Sequence, residues 1–350
     1  NNSIIYFFIR IIFHKRTKNS FNKPISIIIC AKIEFDNLKN NLPAILEQKY
    51  PDFEVIVVND QSNDESIEFL NELSKTNKNL VIVEVNNFVT TTQGKKFALT
   101  LGIKTAKNEH LLLTDADCIP YSENWVQNMS DNFINSNIVL GYGSHKKEKG
   151  LLNKIIRFDT FTIAQQYLSF ALADQTYMAV GRNLAYKKSL FFKNKGFASH
   201  IHIPSGDDDL FIQEIAKKNS VTIEISEKAH TTSEAMNSWK DWTYQKRRHI
   251  STAPLYKTKF KLLLSLYPLS QLLFFLSIIL LFILKSEIIY TIILLAIKLI
   301  FSYVINYNTM NKLKTNDLYW MHPLYELLHL LIQVNFVLLN LFKKPEKWSR

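Results

Sequence analysis

Asp115 and Asp117 are separated by one residue and follow a run of three leucines and Thr114. The leucines predict a buried strand, whereas a carboxylate is costly to bury without a partner. Pro120 and Ser122 indicate that the strand breaks just beyond the aspartates, which lets both carboxylates point the same way. Paired carboxylate oxygens suit Mg²⁺ or Mn²⁺, and such an ion is usually shared with substrate phosphates. The pair therefore predicts a metal site that neutralises a diphosphate.

Further acidic residues stand at positions that suit chemistry. Glu34 and Asp60 follow two other strand-like runs. The carboxyl ends of parallel strands meet at one sheet edge, where α/β proteins bind ligands, so we expect these carboxylates near Asp115 and Asp117. Residues Asp207–Asp209 are three consecutive acids. Their mutual repulsion raises the proton affinity of at least one carboxylate, and this suits a general base.

Strand and helix patterns alternate from residue 25 onwards, which predicts an α/β fold with a parallel sheet. Apolar, β-branched runs indicate the strands, and apolar residues at helical spacing indicate the helices between them. The predicted strands are residues 25–30, 54–60, 80–85 and 110–117, and the predicted helices are residues 37–48, 65–75 and 95–106. We expect Asp64 to cap the second helix.

Composition divides the 350 residues into four regions. Residues 1–23 hold an apolar segment too short for a membrane span, which is interfacial or part of a truncated span. Residues 24–230 carry the α/β pattern and are the expected catalytic domain, and residues 231–261 are basic and aromatic. Residues 262–350 are mostly apolar, with predicted spans at about 262–284 and 288–307 and a weaker apolar segment at about 324–342.

The formal net charge is +11, which suits an anionic membrane surface, a nucleic acid or an anionic substrate. The positive charge concentrates beside the apolar C-terminal region, so we expect a membrane surface and no nucleic acid. A hydrophobic content of 47% excludes wholesale disorder. Cys30 and Cys118 lie in apolar runs without metal-binding spacing and are expected to be core residues.

Seven blocks of sequence, taken in order, resemble the family-two glycosyltransferases, which are inverting enzymes of GT-A fold. The blocks are SIIICAKIEFDNL, VIVVNDQSNDES, GKKFAL, DAD, GRNLAYKKSLF, SGDDDLFI and QKRRH. The sequence departs from the family pattern at Lys32, where Arg is usual, at Ile33, where Asn is usual, and at His249, where Trp is usual. The resemblance covers residues 24–249, and the apolar C-terminal region fits membrane-bound members.

The resemblance implies a role for each matching residue. Asp208 would be the catalytic base, with Asp207 as the alternative, and Asp117 would bind the metal. The donor-binding residues would be Ala31, Glu34, Asp60, Lys95, Asp115, Gln245 and Arg248. The residues on the acceptor side would be Gly181, Asn183 and His249. Inverting transfer needs one carboxylate to accept the proton of the acceptor hydroxyl, and a cation to stabilise the departing diphosphate.

The implied protein is a membrane-anchored, metal-dependent glycosyltransferase that uses Mg²⁺ or Mn²⁺. It would move a sugar from a nucleotide-sugar donor, a UDP-sugar, to a lipid-linked or glycan acceptor in cell-envelope synthesis. Lysines before residue 262 and at residues 312 and 314 predict a multi-pass protein of the cytoplasmic (inner) membrane with its catalytic domain in the cytosol. A third span would place the basic C-terminal residues outside, so we expect residues 324–342 to lie in the interface.

Simpler interpretations stay open for single motifs. Glu34 and Asp60 could be turn-forming residues at strand ends, and residues 95–96 could be a solvated helix start. Residues 207–209 would suit a helix N-terminus in any case, and residues 245–249 could be basic residues facing an anionic leaflet.

Two other functions compete with glycosyl transfer. A sugar nucleotidyltransferase also uses a Rossmann-like half with paired carboxylates, but the chain has no Gly-rich loop near its first strand. A non-catalytic membrane adaptor of the same fold is the other alternative, and the intact Asp117 and Asp208 argue against it.

Overall fold

The computed structural model describes residues 2–16, 20–85, 94–285 and 287–342. The chain divides into two compact units. The sheet unit has its described residues within 15–146 and 170–235, and the helical unit has them within 1–14, 147–169 and 236–345. The basic residues 343–350, on which the prediction about the C-terminal side of the membrane depends, lie outside the described residues.

The secondary structure follows the predicted alternation. The strands are β1 (Ile25–Ala31), β2 (Phe53–Asn59), β3 (Leu80–Glu84), β4 (His110–Asp115), β5 (Ile119–Pro120), β6 (Ile138–Leu140), β7 (Gly143–His145), β8 (Leu184–Lys187), β9 (Val221–Ile223) and β10 (Thr231–Ser233). The helices are α1 (Asn2–Phe13), α2 (Phe35–Leu46), α3 (Ser66–Thr76), α4 (Lys95–Thr105), α5 (Trp125–Ser130), α6 (Leu151–Ala171), α7 (Lys188–Lys193), α8 (Asp209–Ile215), α9 (Trp239–Ile250), α10 (Thr258–Ile283), α11 (Ile288–Leu313) and α12 (His322–Phe342).

The main sheet of the sheet unit has the strand order β3-β2-β1-β4-β8-β6-β9. Its first four strands are all parallel, as the sequence predicts. Strand β8 runs antiparallel to both β4 and β6, which makes the sheet mixed. A second sheet has the strand order β5-β10-β7. Its strand β5 comes just after the paired aspartates in the chain. The α/β fold class is confirmed, and its antiparallel part comes from strands of only three or four residues.

Strand register brings the acidic residues to one edge. Ala31 pairs with Asn59 across β1 and β2, and Cys30 pairs with Asp115 across β1 and β4. Asp60 therefore follows directly at the same edge where β4 ends. The strands themselves are buried on both faces because helices cover them, and this explains their continuous apolar sequences.

Helix α4 packs closely on one face of the parallel strands. A Cβ atom at Gly102 would lie 2.8 Å from Ile28 Cγ2 and 2.9 Å from Val58 Cγ2, so only glycine permits this approach. Leu99 and Ile103 of the same helix are buried. This packing fixes the N-terminal end of α4, where Lys95 begins the helix.

Among the described residues of the helical unit, three helices are long and apolar enough to cross a membrane: Thr258–Ile283, Ile288–Leu313 and His322–Asn340. Large apolar side chains of α10 and α11 are exposed, such as Ile283 and Ile289, and apolar surface of this extent marks a membrane or protein contact. The first two helices fall on the predicted spans, and the third falls on the weaker segment.

Polar residues of these three helices contact one another. Lys298 Nζ of α11 lies 2.7 Å from Glu326 Oε2 of α12, and the Tyr267 hydroxyl of α10 donates to Glu326 Oε1 at 3.0 Å. His329 of α12 pairs with Asp159 of α6 at 2.8 Å. Polar residues in an apolar segment favour the interface over a span when they have no partner. Their pairing within the unit removes that objection to a span, since a paired charge costs less in an apolar medium.

Candidate active site

Asp60 is buried at the end of β2 and keeps free acceptor capacity. Its backbone N–H donates to the Ala31 carbonyl oxygen at 2.8 Å, so Ala31 positions it. The side chain is 1% exposed, and Lys32 Nζ lies 3.7 Å from Oδ2. Oδ2 accepts no hydrogen bond from the described residues, and the buried Gln61 Nε2 beside it also lacks a partner. Buried polar atoms without partners are costly, so this corner suits a polar ligand.

The turn after β1 is strained. Ile33 has a φ of 57°, in the left-handed region that β-branched residues avoid. Its N–H donates to Ser62 Oγ at 2.9 Å, which holds the turn against the loop after β2. Glu34 then precedes α2, and its Oε2 accepts from Asn37 Nδ2. Strain of this kind costs about 1–3 kcal/mol and concentrates at functional sites.

Asp64 lies one residue before Glu65, which is the N-cap of α3, and its side chain connects the starts of two helices. Its carboxylate accepts from the N–H of Phe35, at the start of α2, at 3.0 Å, and from the N–H of Ser66, at the start of α3, at 3.2 Å. Burial alone raises the pKa of Asp64, but these donors outweigh it and the pKa is lowered.

Lys95 joins two of the predicted acidic sites. Its Nζ lies 2.8 Å from Asp115 Oδ1 and 3.3 Å from Asp207 Oδ2. Burial by itself lowers the pKa of Lys95, but the carboxylates of Asp115, Asp207 and Asp208 raise it well above its usual value. The lysine is therefore a permanent cation between carboxylates, and the simpler interpretation of a solvated helix start is wrong for it.

The paired aspartates form a group suited to a divalent cation. Carboxylate oxygens of Asp115 and Asp117 and the thiol of Cys118 all lie within 4.8 Å of one another. Burial raises the pKa of Cys118 well above its usual value, so the thiol stays protonated and is a poor ligand. Two half-buried carboxylates remain, which are hard oxygen donors that fit Mg²⁺ or Mn²⁺. Asp115 also lies 2.8 Å from the Lys95 ammonium nitrogen.

Cys118 is fully buried, as predicted, whereas Cys30 is only half-buried. Burial raises the pKa of Cys30, and the nearby carboxylates of Asp115, Asp207 and Asp60 raise it further against the opposing effect of Lys95. Cys30 is thus a neutral thiol at the edge of the acidic site, and its prediction as a core residue is only partly right.

The three consecutive acids differ in their surroundings. Asp208 Oδ2 accepts from the Gly181 N–H at 2.9 Å, and its Oδ1 accepts from the Asp209 N–H at 2.8 Å. Burial, followed by repulsion from Asp207 and Asp209, raises the pKa of Asp208 to about 7. Asp207 is also buried, but the Lys95 ammonium holds its pKa below the usual value. Asp208 therefore has the proton affinity of a general base near neutral pH.

Gly206 makes the turn that presents these acids. Its φ is 101°, and a Cβ atom there would lie 2.6 Å from Leu210 Cδ1. A residue with a side chain would be strained and would clash with α8. The glycine therefore sets the path of the chain just before Asp207.

The turn of residues 181–183 lies next to the acids and donates a hydrogen bond to Asp208. The Arg182 carbonyl oxygen accepts from Thr114 Oγ1 at 3.0 Å and from Thr231 Oγ1 at 3.1 Å. A Cβ atom at Gly181 would lie 3.5 Å from Lys95 Nζ and 3.7 Å from Asp208 Oδ2. Gly181 thus faces the acidic group, and its role on the acceptor side stays a prediction.

Asn183, expected on the acceptor side, has a fully buried side chain. Its Oδ1 accepts from Trp125 Nε1 at 3.1 Å, and its Nδ2 donates to the carbonyl oxygens of Tyr142 at 3.0 Å and Ala229 at 2.8 Å. These hydrogen bonds use the amide fully, so it holds the turn in place and offers nothing to an acceptor. The sequence motif located the residue but could not show its burial.

Lys96 holds the segment that leads to the acids, a role that we did not predict from the sequence. The side chain is 4% exposed, and Nζ lies 2.7 Å from His200 Nδ1, 2.7 Å from the His200 carbonyl oxygen and 3.1 Å from that of Ile203. Burial lowers the pKa of Lys96 to about 8. Its helical spacing to Leu99 and Ile103, both buried, was the signal that could have revealed it.

Gln245, Arg248 and His249 lie on α9 of the helical unit. Gln245 and Arg248 are three residues apart and share a face of the helix, and the buried Arg248 Nε has no hydrogen-bond partner among the described residues. The opposite side of α9 is fastened within its own unit, where Lys246 Nζ lies 2.6 Å from Asp159 Oδ2. The donor-binding and acceptor roles of residues 245, 248 and 249 stay predictions.

The sheet unit thus brings Asp60, Lys95, Asp115, Asp117 and the Asp207–Asp208 pair to one edge of the main sheet. Such an arrangement can hold a divalent cation and a diphosphate and can accept a proton at Asp208.

Comparison with known proteins agrees with this geometry. Residues 26–193 match the family model described as glycosyl transferase family 2. The poly-beta-1,6-N-acetyl-D-glucosamine synthase of Staphylococcus epidermidis is 32% identical over 124 residues, which are 33% of this chain and 28% of that protein. The poly(ribitol-phosphate) beta-glucosyltransferase of Bacillus spizizenii is 29% identical over 208 residues, which are 57% of this chain and 31% of that protein. The matches span about three tenths of the length of these relatives.

Among solved structures, the mannosyltransferase PcManGT from Pyrobaculum calidifontis, in complex with GDP-Man and Mn²⁺, has a similar fold. The TM-score is 0.58 at 16% sequence identity, and the similarity covers 91% of this chain and 94% of that chain. The GT-A fold implied by the sequence blocks is confirmed.

Proposed function

Residues 26–193 form a family 2 glycosyltransferase domain, and from this premise we propose that the protein is a membrane-anchored, inverting glycosyltransferase. It transfers a sugar from a nucleoside-diphosphate donor, a UDP-sugar, to a hydroxyl of a lipid-linked or glycan acceptor. The observation that carries the proposal is the gathering of a permanent cation and separate carboxylates at the sheet edge, with a base of pKa about 7 among them.

The donor end of the proposed site is the corner around Asp60. Its buried Oδ2 and the buried Gln61 Nε2 lack partners among the described residues, and a nucleoside would supply both an acceptor and a donor. Glu34 and Asp115 are the further carboxylates that we assign to the nucleoside end. Lys95 would lie near the diphosphate, although two carboxylates already share its charge.

A divalent cation would be held by Asp117, with Asp115 as its neighbour, because their oxygens lie close together. When bound, the ion would neutralise charge that develops on the departing diphosphate. Gln245 and Arg248 are the residues that we propose to cover the diphosphate. A guanidinium suits that role because it donates two parallel hydrogen bonds to phosphate oxygens.

Asp208 is the proposed base, and Asp207 is its less suitable neighbour. The acceptor hydroxyl oxygen forms the new bond to the anomeric carbon, its proton passes to Asp208, and the bond from that carbon to the diphosphate breaks. Attack opposite the leaving group inverts the anomeric centre, so no nucleophilic carboxylate is needed. A carboxyl with pKa about 7 accepts the proton more readily than the ion-paired Asp207 does.

Membrane attachment would hold this chemistry close to a membrane-bound acceptor. The three apolar helices of the helical unit support it, and we propose a multi-pass protein of the cytoplasmic membrane with the sheet unit in the cytosol. The names of the two relatives describe a synthase of poly-N-acetylglucosamine and a glucosyltransferase of poly(ribitol-phosphate). They support an acceptor of the cell envelope.

The decisive experiment incubates the full chain in membranes with a panel of radiolabelled nucleotide-sugars, a membrane extract as acceptor, and Mg²⁺ or Mn²⁺. We expect label to enter a glycan or lipid product, with release of nucleoside diphosphate and inversion at the anomeric carbon. Asp208→Asn and chelation of the metal should each stop transfer. Release of pyrophosphate would instead indicate a nucleotidyltransferase, and metal-dependent UDP binding without transfer would indicate a non-catalytic protein.

A further inference from the structure

Arg182 lies next to the proposed base and has no acidic partner among the residues that the structure describes. Its neighbour Gly181 donates its N–H to Asp208 Oδ2, and the Arg182 carbonyl oxygen is held by two threonine hydroxyls, one at the end of β4 and one in β10. The backbone of Arg182 is therefore tied to the base and to the strand that carries the paired aspartates.

The guanidinium lies along the second sheet. Nη1 donates to His145 Nε2 at 3.0 Å and to Ser233 Oγ at 3.5 Å. A Cβ atom at Gly143 would lie 3.2 Å from Arg182 Cβ and 3.5 Å from its Nε, so the glycine gives the arginine room on β7. Within the described residues no carboxylate contacts the guanidinium, although Lys95 and Arg16 of the same unit each contact two.

A half-buried guanidinium whose contacts are a hydroxyl and a histidine ring, and no carboxylate of the described residues, favours an anionic ligand. Partial burial of the guanidinium costs free energy, and a negatively charged ligand offsets this cost best. Its fork matches two oxygens of a phosphate or a carboxylate. The Ser233 hydroxyl and the His145 ring beside Nη1 add polar contacts for a further oxygen, and phosphate offers more oxygens than carboxylate does. The surroundings therefore favour phosphate.

We propose that Arg182 binds a phosphate group of the acceptor and thereby selects acceptors that carry phosphate next to the reacting hydroxyl. The donor diphosphate is the less suitable ligand, since we assign the Lys95 cation and the metal held by the paired aspartates to it. The phosphate comes from a soluble or polymeric polyol phosphate, or from the headgroup of a lipid. This inference rests on the proposed function for the identity of the acceptor, but the binding site itself does not.

Binding of sn-glycerol 3-phosphate to the full chain in detergent, measured by titration calorimetry, tests the site. We expect R182Q to weaken this binding roughly 10- to 100-fold, because a charge-assisted bidentate pair is lost. R182K should recover part of the affinity. Lys193→Gln removes one exposed positive charge of the same unit and should change the affinity less than twofold. Glycerol, which is uncharged, should bind equally weakly to the wild-type chain and to R182Q. Glycerate, which has a carboxylate but no phosphate, should lose less affinity in R182Q than sn-glycerol 3-phosphate does.

Two further arms identify the source of the phosphate and separate this proposal from the proposed function. Vesicles of phosphatidylcholine with phosphatidic acid, compared with phosphatidylcholine alone, show Arg182-dependent binding if a lipid phosphate is the ligand. UDP with Mn²⁺ reports the donor site, and R182Q should change its affinity less than twofold. A parallel loss of UDP affinity, an equal effect on glycerate, or no Arg182-dependent binding of either phosphate overturns the proposal. Absence of UDP binding to the wild-type chain refutes the proposed function alone.

Discussion

Replacing Asp208 by Asn tests the proposed base most directly. The substitution keeps the shape of the side chain and removes its ability to accept a proton. We expect transfer to fall by roughly 10²- to 10⁴-fold, the usual contribution of general base catalysis. Metal-dependent UDP binding, measured by calorimetry, should persist, because Asp208 is separate from the proposed donor ligands.

The pH dependence of the wild-type enzyme provides the second readout. The pKa of Asp208 is raised to about 7, first by burial and then by Asp207 and Asp209. Since the base must be ionised, kcat/KM should rise about tenfold per pH unit below about pH 6 and level off above about pH 8. The midpoint of this profile reflects the joint titration of Asp208 and its acidic neighbours, and not that of one residue alone.

Two neighbouring variants should move this midpoint in opposite directions. Asp209→Asn removes a negative charge that raises the pKa of Asp208, so the midpoint should shift to lower pH. Lys95→Met removes the cation that lowers it, so the midpoint should shift to higher pH whatever happens to donor KM. If both variants leave the midpoint in place, the titrating group is not Asp208.

The raised pKa of Asp208 should also affect stability: activity rises with pH, whereas the free energy of unfolding should fall. The folded pKa of Asp208 is raised from 3.8 to about 7. The folded state therefore binds this proton more tightly, and the stability present below about pH 4 is lost as pH rises through about 7. A fully buried, isolated group would lose about 4 kcal/mol. Partial exposure and coupling reduce this, so we expect Asp208→Asn to raise the free energy of unfolding by about 1–3 kcal/mol at pH 8 and hardly at pH 4.

Chemical denaturation in detergent, monitored by circular dichroism, measures that difference at the two pH values. A variant that retains transfer, or that is destabilised at pH 8, refutes the reasoning about Asp208.

Four further outcomes follow from individual contacts. Asp117→Asn should weaken Mn²⁺-dependent UDP binding at least about tenfold without changing metal-free binding, and equal losses with and without metal would contradict its role as a ligand. Lys96→Met leaves two carbonyl oxygens without their donor, so the free energy of unfolding should fall by about 2 kcal/mol. An unchanged denaturation midpoint would show that these contacts do not stabilise the fold. Asn183→Ala removes three buried hydrogen bonds and should cost about 3 kcal/mol or more, whereas a loss of acceptor affinity at full stability would restore its predicted role. Ile33→Asn relieves a left-handed φ and should raise stability by about 1 kcal/mol, and a lower denaturation midpoint would show that the isoleucine is not strained.

The parallel half of the main sheet was predictable because its signals are local. Strands β1, β2, β3 and β4 are apolar runs of strand length, and helices of regular spacing separate them. Their right-handed connections leave few arrangements, and all of these bring Asp60 and Asp115 to the same edge. The apolar helices α10 and α11 follow from length and composition in the same way, whereas α12 was expected to lie in the interface.

The short strands were not predictable from local pattern. Strands β6, β8 and β9 have three or four residues each, and the antiparallel position of β8 beside β4 depends on contacts that span about 70 residues of chain. Lys96 shows the same limitation, because a lysine in a helix is usually solvated and only the packing of α4 buries this one.

The sequence by itself determined which residue types stand at the strand ends, because side-chain chemistry and the periods of strands and helices are written in neighbouring residues. Only the tertiary structure decided how identical aspartates differ. Asp207 lies against Lys95 and stays ionised, whereas Asp208 lies against the Gly181 N–H and two other acids and keeps its proton to about pH 7. Burial and charge at a carboxylate depend on groups from distant parts of the chain, and their positions exist only once the chain has folded.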